Sequence, residues 1–266
     1  MIEICCGSYY DALQAARGGA RRIELNCGLH LGGLTPSLAS LELTKEGCDL
    51  SVIAMVRPRG GGFCYSGEDF QVMERECAQL ISHGADGIAF GCLNRDASLC
   101  VDQNARLIDL IHGQGKEAVF HRAFDCCADP YRTMEELIRM GVDRVLTSGL
   151  KPKAMEGRDL IRKLQQRYGN EIEILAGSGV NASNARQLMD ETGISQVHSS
   201  CKDWKQDPTT VVNGVSYALC PRPGRTATTW SPKRWYGGFW RRWESRHGKA
   251  GSRFPGSSPG HTLKSD

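Results

Sequence analysis

No apolar stretch in the 266 residues approaches the ~18 that a membrane helix needs, and Met1 leads straight into an ordinary apolar run without a basic, apolar, small-residue leader pattern. A membrane-spanning protein and a secreted one are thereby set aside, and the cytoplasm is the expected location. Also missing is any Cys-x-x-Cys pair, although there are twelve cysteines. Without that spacing no zinc ribbon is indicated. Most of the cysteines fall inside apolar runs (Cys5, Cys77, Cys92) or as neighbours (Cys5-Cys6, Cys126-Cys127), which reads as reduced, semi-buried thiols rather than a disulfide framework.

What the chain does contain is a recurring unit. Eight short β-branched or apolar runs end in a polar residue or glycine: Ile2 to Cys5, Arg22 to Asn26, Val52 to Arg57, Gly87 to Gly91, Ala118 to His121, Arg144 to Ser148, Ile172 to Gly177 and Gln196 to Ser199. A helical stretch follows each of the first seven. Phe70, Met73, Cys77, Leu80 and Ile81, for example, form a near-3.6-residue stripe that stops at Gly84, and Asp129-Pro130 opens another with proline in the first turn. Strands alternating with helices mean a parallel sheet, and eight such units close a (β/α)₈ TIM barrel of the α/β class. In that fold the working face lies at the carboxyl ends of the strands, so Cys5, Asn26, Arg57, His121, Ser148 and His198 become candidates by position alone.

The charge is unevenly spread. Residues 220–266 carry ten Lys or Arg against two acids, a local +8, which leaves −5 for residues 1–219 of a chain whose net charge is +3. This segment also holds four of the five tryptophans and five of the ten prolines, and shows no hydrophobic period. Shifting the reading frame by one base over Thr226 to Glu244 yields codons compatible with an amphipathic helix. We therefore expect a barrel domain over 1–219 and, over 220–266, a disordered, aberrant tail from a frameshift that replaces the eighth helix. With the positive charge confined to this tail and the body net acidic, no nucleic-acid partner is expected.

Two kinds of chemistry fit the strand ends. Gly177 and Gly179 after the seventh run, with His198 and Ser199 after the eighth, fall where barrels form phosphate sites from backbone N–H groups; Arg57, Arg122 and Ser148 would add a clamp, giving a site for a small anionic or phosphorylated ligand. Glu3 shares a face with Cys5, and Glu24 with Asn26, by the period of two. Together with His121 and Asp125 these carboxylates would make an acid-base set, so the barrel could be an enzyme of unknown reaction. An ion network of Glu3 and Glu24 with Arg57 and Arg122 explains the same residues without catalysis.

Several ordered blocks resemble the CutC copper homeostasis family: Arg57-Pro58-Arg59-Gly60-Gly61, Phe63-Cys64-Tyr65-Ser66, Phe120-His121-Arg122-Ala123-Phe124-Asp125 and Leu146-Thr147-Ser148-Gly149, with further similar text from Glu3-Ile4-Cys5 to Val197-His198-Ser199-Ser200. The resemblance implies a TIM barrel, a cytoplasmic homo-oligomer (dimer or tetramer) and a role in copper handling. It also implies a Cu(I) site from cysteines ending the first two strands. Cys5 matches the first of them. Where the second is expected the chain has Asn26, with Cys27 one residue later, so Cys5 and Cys27 are the implied metal pair. Copper(I) is soft and favours thiolates, and two converging sulfurs would hold it.

Overall fold

Eight parallel strands close into a barrel in the computed structural model, which describes residues 1–201, 204–217 and 227–230. They are β1 (Ile2–Cys6), β2 (Arg22–Leu25), β3 (Ser51–Met55), β4 (Gly87–Phe90), β5 (Glu117–Phe120), β6 (Arg144–Thr147), β7 (Glu173–Ala176) and β8 (Gln196–Ser199), and β8 pairs back onto β1. Seven helices alternate with them: α1 (Tyr9–Arg17), α2 (Leu38–Gly47), α3 (Gly67–Ser82), α4 (Val101–His112), α5 (Pro130–Arg139), α6 (Arg158–Tyr168) and α7 (Ala185–Thr192). The strands and helices expected from the sequence therefore stand, and the fold is the expected TIM barrel. Among the described residues no helix follows β8, and none is long and apolar enough to cross a membrane.

Local chemistry sets the helix starts. Ser8, Ser37 and Ser66 each accept the third backbone N–H of their helix, Asp69 returns the bond to Ser66 in a reciprocal capping box, and Asp129 caps α5 ahead of Pro130.

After the barrel, β9 (Trp204–Gln206) pairs antiparallel with β12 (Ala227–Trp230), and β10 (Val211–Val212) with β11 (Val215–Ser216). The four residues of β12 belong to the basic tail; the rest of 220–266, with the expectation of disorder and of a frameshift origin, lies outside the described residues.

Strand alternation sorts the core into two compartments. Ile4, Ile23, Leu25, Val52, Ala54, Ile88, Phe90, Phe120, Val145 and Val197 face outward and are buried beneath the helices. Inside the barrel a separate small cluster of Ile53, Met55, Ala89 and Val119 fills the β3–β5 side. The inward positions on β1, β2 and β8, and the first on β6, are largely polar: Glu3, Arg22, Glu24, Arg144, Gln196 and His198 are all buried, with Leu146 and Leu175 as the apolar exceptions on β6 and β7. Mixed filling of this kind places ionisable groups inside the fold, where each needs a partner.

Candidate metal and anion site at the barrel mouth

The register of the sheet builds the site. Glu3 stands beside His198 across the β1–β8 seam, and Cys5 beside Glu24 across β1–β2. Neighbours in a parallel pair that share parity point the same way, so these four side chains meet in the lumen. Nδ1 of His198 lies 2.9 Å from Glu3 Oε1, and Nε2 lies 3.8 Å from Glu24 Oε2. Asn26 Nδ2 donates to Glu24 Oε2 at 2.9 Å and approaches Cys5 Sγ at 3.6 Å. One ligand atom each from Cys5, Glu24 and His198 falls within 4.8 Å of the others, a trio with metal-binding geometry.

Beneath this trio sits an ion network. Arg22 Nε is 2.7 Å from Glu3 Oε2, and Arg144 Nη1 is 4.0 Å from the same oxygen. Arg144 also pairs with Glu117 at 3.1 Å and with Glu173 at 2.8 Å, while Arg22 donates to Gln196. Burial alone would raise the Glu3 carboxyl, but the hydrogen bond and charge of His198, with Arg22 and Arg144, hold it below its ordinary value. Glu24 goes the other way: burial raises it, and His198 only partly offsets this. Burial would likewise favour neutral His198, yet Glu24, Cys5 and Glu3 raise it well above its ordinary value, so the imidazole is a cation. The Cys5 thiol is pushed up to about 12, mainly by burial, and is protonated.

Over the trio opens a cavity of about 200 Å³ that reaches solvent; Cys5, His198, Arg122, Ser178, Gly179 and Ser200 are in its wall, and none of its lining residues is acidic.

The structure separates several residues that the sequence grouped. Cys27 does not join Cys5: its backbone bridges to Leu34, and its Sγ donates to the Thr35 carbonyl at 3.0 Å, because the chain has already left β2 for the loop. The expected two-sulfur pair is thus replaced by thiol, carboxylate and imidazole. Arg57 neither clamps a ligand nor bridges Glu3 and Glu24. It is buried, donates to the carbonyls of Leu31, Gly33 and Gly61, and lies over Phe63, which makes it a tie between two loops. The Glu3 carboxylate pairs instead with His198, Arg22 and Arg144, the two arginines lying at the opposite ends of their strands from Arg57. Asp125 does not orient His121. It accepts from Thr147, Ser148, Leu150 and Arg122, and so locks the loops after β5 and β6. His121 instead accepts the Ala123 N–H through Nδ1 and packs on Phe63, and burial with the nearby Arg57 charge lowers it to about 3. The acid-base set of Glu3, Glu24, His121 and Asp125 is therefore not one constellation. Gly177 donates its N–H to Thr147 within the sheet, and a Cβ there would meet Leu146 at 2.7 Å, so its role is packing. Ser199 donates to the Val180 carbonyl at 2.7 Å, and Ser148 accepts from Arg122 at 2.8 Å while bonding the Lys151 carbonyl. Gly179, His198 and Arg122 do line the cavity.

Sequence reasoning missed Arg22, Arg144 and Gln196. A signal was available for two of them: Arg22 and Gln196 open strands with the same parity as Glu24 and His198, whereas β6 offers Arg144 no such partner in its own strand.

A closed parallel barrel with a half-buried thiol beside a buried carboxylate and imidazole defines a TIM barrel whose candidate site lies at the carboxyl ends of its strands. Residues 1–203 match the model of the CutC family. A CutC family protein of Treponema denticola is 44% identical over 216 residues, 81% of this chain and 87% of that protein, and one of Porphyromonas gingivalis is 39% identical over 201 residues, 76% and 80%. Among solved structures, a CutC protein of Streptococcus agalactiae named for copper homeostasis superposes with a TM-score of 0.71 at 28% identity, covering 75% of this chain and 98% of that one. The chain belongs to the CutC family.

Proposed function

We propose that the protein serves copper homeostasis by holding one copper(I) ion at the barrel mouth, between Cys5 Sγ and His198 Nε2, with Glu24 as a third, weaker oxygen donor. The observation that carries this reading is the trio itself: three ligand atoms within 4.8 Å, one of them on an imidazole whose other nitrogen is pinned by Glu3. A carboxylate on the far ring nitrogen fixes the tautomer and raises the basicity of the ligating nitrogen, as in metal-bound histidines generally. The lumen is also organised around a positive charge. In the metal-free protein that charge is the His198 imidazolium between Glu3 and Glu24; a copper(I) ion would take the place of its proton, and loss of the Cys5 proton as well would leave the occupied site one unit more negative, above the arginines Arg22 and Arg144. Thiolate and imidazole suit copper(I), while the carboxylate adds tolerance for a borderline ion such as zinc. The name of the Streptococcus agalactiae relative points to the same metal.

Both the Cys5 thiol and the His198 imidazolium must lose a proton on binding, so the apparent affinity should rise with pH by about a hundredfold per unit. Anaerobic copper(I) titration against a competing chelator tests this. One ion per chain is expected, weakened at least ~100-fold in Cys5→Ser and in His198→Ala and unchanged in Cys27→Ser. Full-affinity binding in Cys5→Ser, or loss in Cys27→Ser, would refute the assignment.

A further inference from the structure

The cavity beside the trio has a second polar wall that the copper reading leaves unused. In the loop after β7, every carbonyl from Ser178 to Val180 is satisfied: Ser178 O accepts from Ala154 N–H at 3.0 Å, Gly179 O from Asn184 Nδ2 at 2.9 Å, and Val180 O from Ser199 Oγ at 2.7 Å. The N–H groups of these same three residues, and of Ser200 after β8, have no partner among the described residues. A loop whose acceptors are all occupied and whose donors are open presents positive potential to the cavity it lines. Ser178 is held at φ 76° next to Gly179 at φ 69°. A non-glycine residue in that region is strained, and here its own hydroxyl, bonded to Pro152 O at 2.7 Å, helps hold it there.

Arg122 supplies the matching charge. Its Nε is fixed on Asp125 at 2.7 Å and its Nη2 on Ser148 at 2.8 Å, which leaves Nη1 without a partner among the described residues while the side chain lines the cavity. Lys153 approaches the same rim, its Cγ lying 3.1 Å from where a Gly179 Cβ would be.

We infer that this wall is a binding site for a phosphate group, that of a small phosphomonoester, with the N–H groups of Ser178, Gly179, Val180 and Ser200 and the guanidinium of Arg122 as its donors. The site stands on its own donors and does not need a metal. A ligand seated there would place the rest of its structure over Cys5 and His198, since all line the same cavity.

The test is an ¹⁵N NMR titration of the full-length, chelator-treated protein with inorganic phosphate and, in parallel arms, glycerol phosphate and acetate. Saturable shifts largest at the Ser178, Gly179, Val180 and Ser200 amides are expected, with glycerol phosphate binding at least as tightly as phosphate and acetate at least tenfold more weakly. In Arg122→Gln the phosphate dissociation constant should rise at least tenfold; if that variant misfolds, Lys153→Ala should raise it two- to threefold. Shifts centred elsewhere, no saturation, or acetate binding as well as phosphate would overturn the assignment. Because no copper is present, none of these outcomes depends on the metal site.

Discussion

His121 and His198 occupy equivalent places, at the carboxyl ends of β5 and β8, and are driven to opposite charge states. Around His121 the barrel is apolar: Phe63 packs on its ring at 5.0 Å between centroids, and the inward cluster of Ile53, Met55, Ala89 and Val119 fills the lumen below. Among the described residues no carboxylate hydrogen-bonds to it, so burial wins and the ring is neutral. Around His198 the same depth of burial is offset by Glu3 at 2.9 Å and Glu24 at 3.8 Å, and the ring is charged. The comparison teaches what the polar half is for. A lumen filled throughout like the β3–β5 side would be at least as stable, because desolvating ions costs about as much as pairing them returns. Charge on the β8–β1–β2 side is therefore not accounted for by stability, which agrees with the ligand site proposed above.

The largest test of that division is Glu3→Gln. It keeps the volume but leaves Arg22 and His198 without their shared partner, and breaking a buried pair from one side costs ~3–5 kcal/mol. Urea unfolding at pH 7 should show that loss. A change under ~1 kcal/mol would mean that Glu117 and Glu173 alone can neutralise the arginines, and that the polar half is less finely balanced than its geometry indicates.

How much of this could be read from the chain alone follows the same division. Period-two alternation and glycine stops placed all eight strands, because the pattern that marks a strand is local in sequence. The same period put Glu3 with Cys5 and both at the mouth. What could not be read was which residues meet across seams. Glu3 with His198 is a contact over 195 positions, set by how β8 closes onto β1. Arg57 and Arg22 are both inward arginines in strand-like text, and only their opposite heights in the barrel decide that Arg22 reaches Glu3 while Arg57 binds loop carbonyls. Cys27 entered only through the family resemblance; alternation points it away from Asn26, and the bridge to Leu34 carries it out of the sheet.

The next test uses acid. His121 has a folded-state value of about 3, below the ~6.5 of an unfolded histidine, so the unfolded chain binds the proton more readily. Its contribution is fully present above pH ~6.5 and is lost as pH falls from there toward 3. Between pH 7 and pH 4 that amounts to ~3 kcal/mol, which His121→Gln should remove from the acid limb of the stability curve whatever it does at pH 7. His198 shows the reverse sign: with its folded value raised, its contribution is full below the unfolded value and is lost only as pH rises through the folded one. If ring-proton shifts showed His121 titrating near 6.5, the idea of a dry, carboxylate-free pocket on the β5 side would fall.

The smallest effect sharpens the apolar side. Ile53 is fully buried on β3, next in the sheet to Glu24 on β2, and so marks the border between the two halves. Ile53→Val removes one methylene from the lumen and should cost ~0.5–1.5 kcal/mol through lost transfer energy and a small void. Since no ion changes its partner, that cost should be the same at pH 5 and pH 8 and at low and high salt. A pH-dependent cost would mean that water enters the gap and reaches Glu24, lowering its raised carboxyl value, and the border would then be a hydrated channel rather than a packed seam. Urea midpoints for the variant across pH, read beside those of Glu3→Gln, distinguish the two.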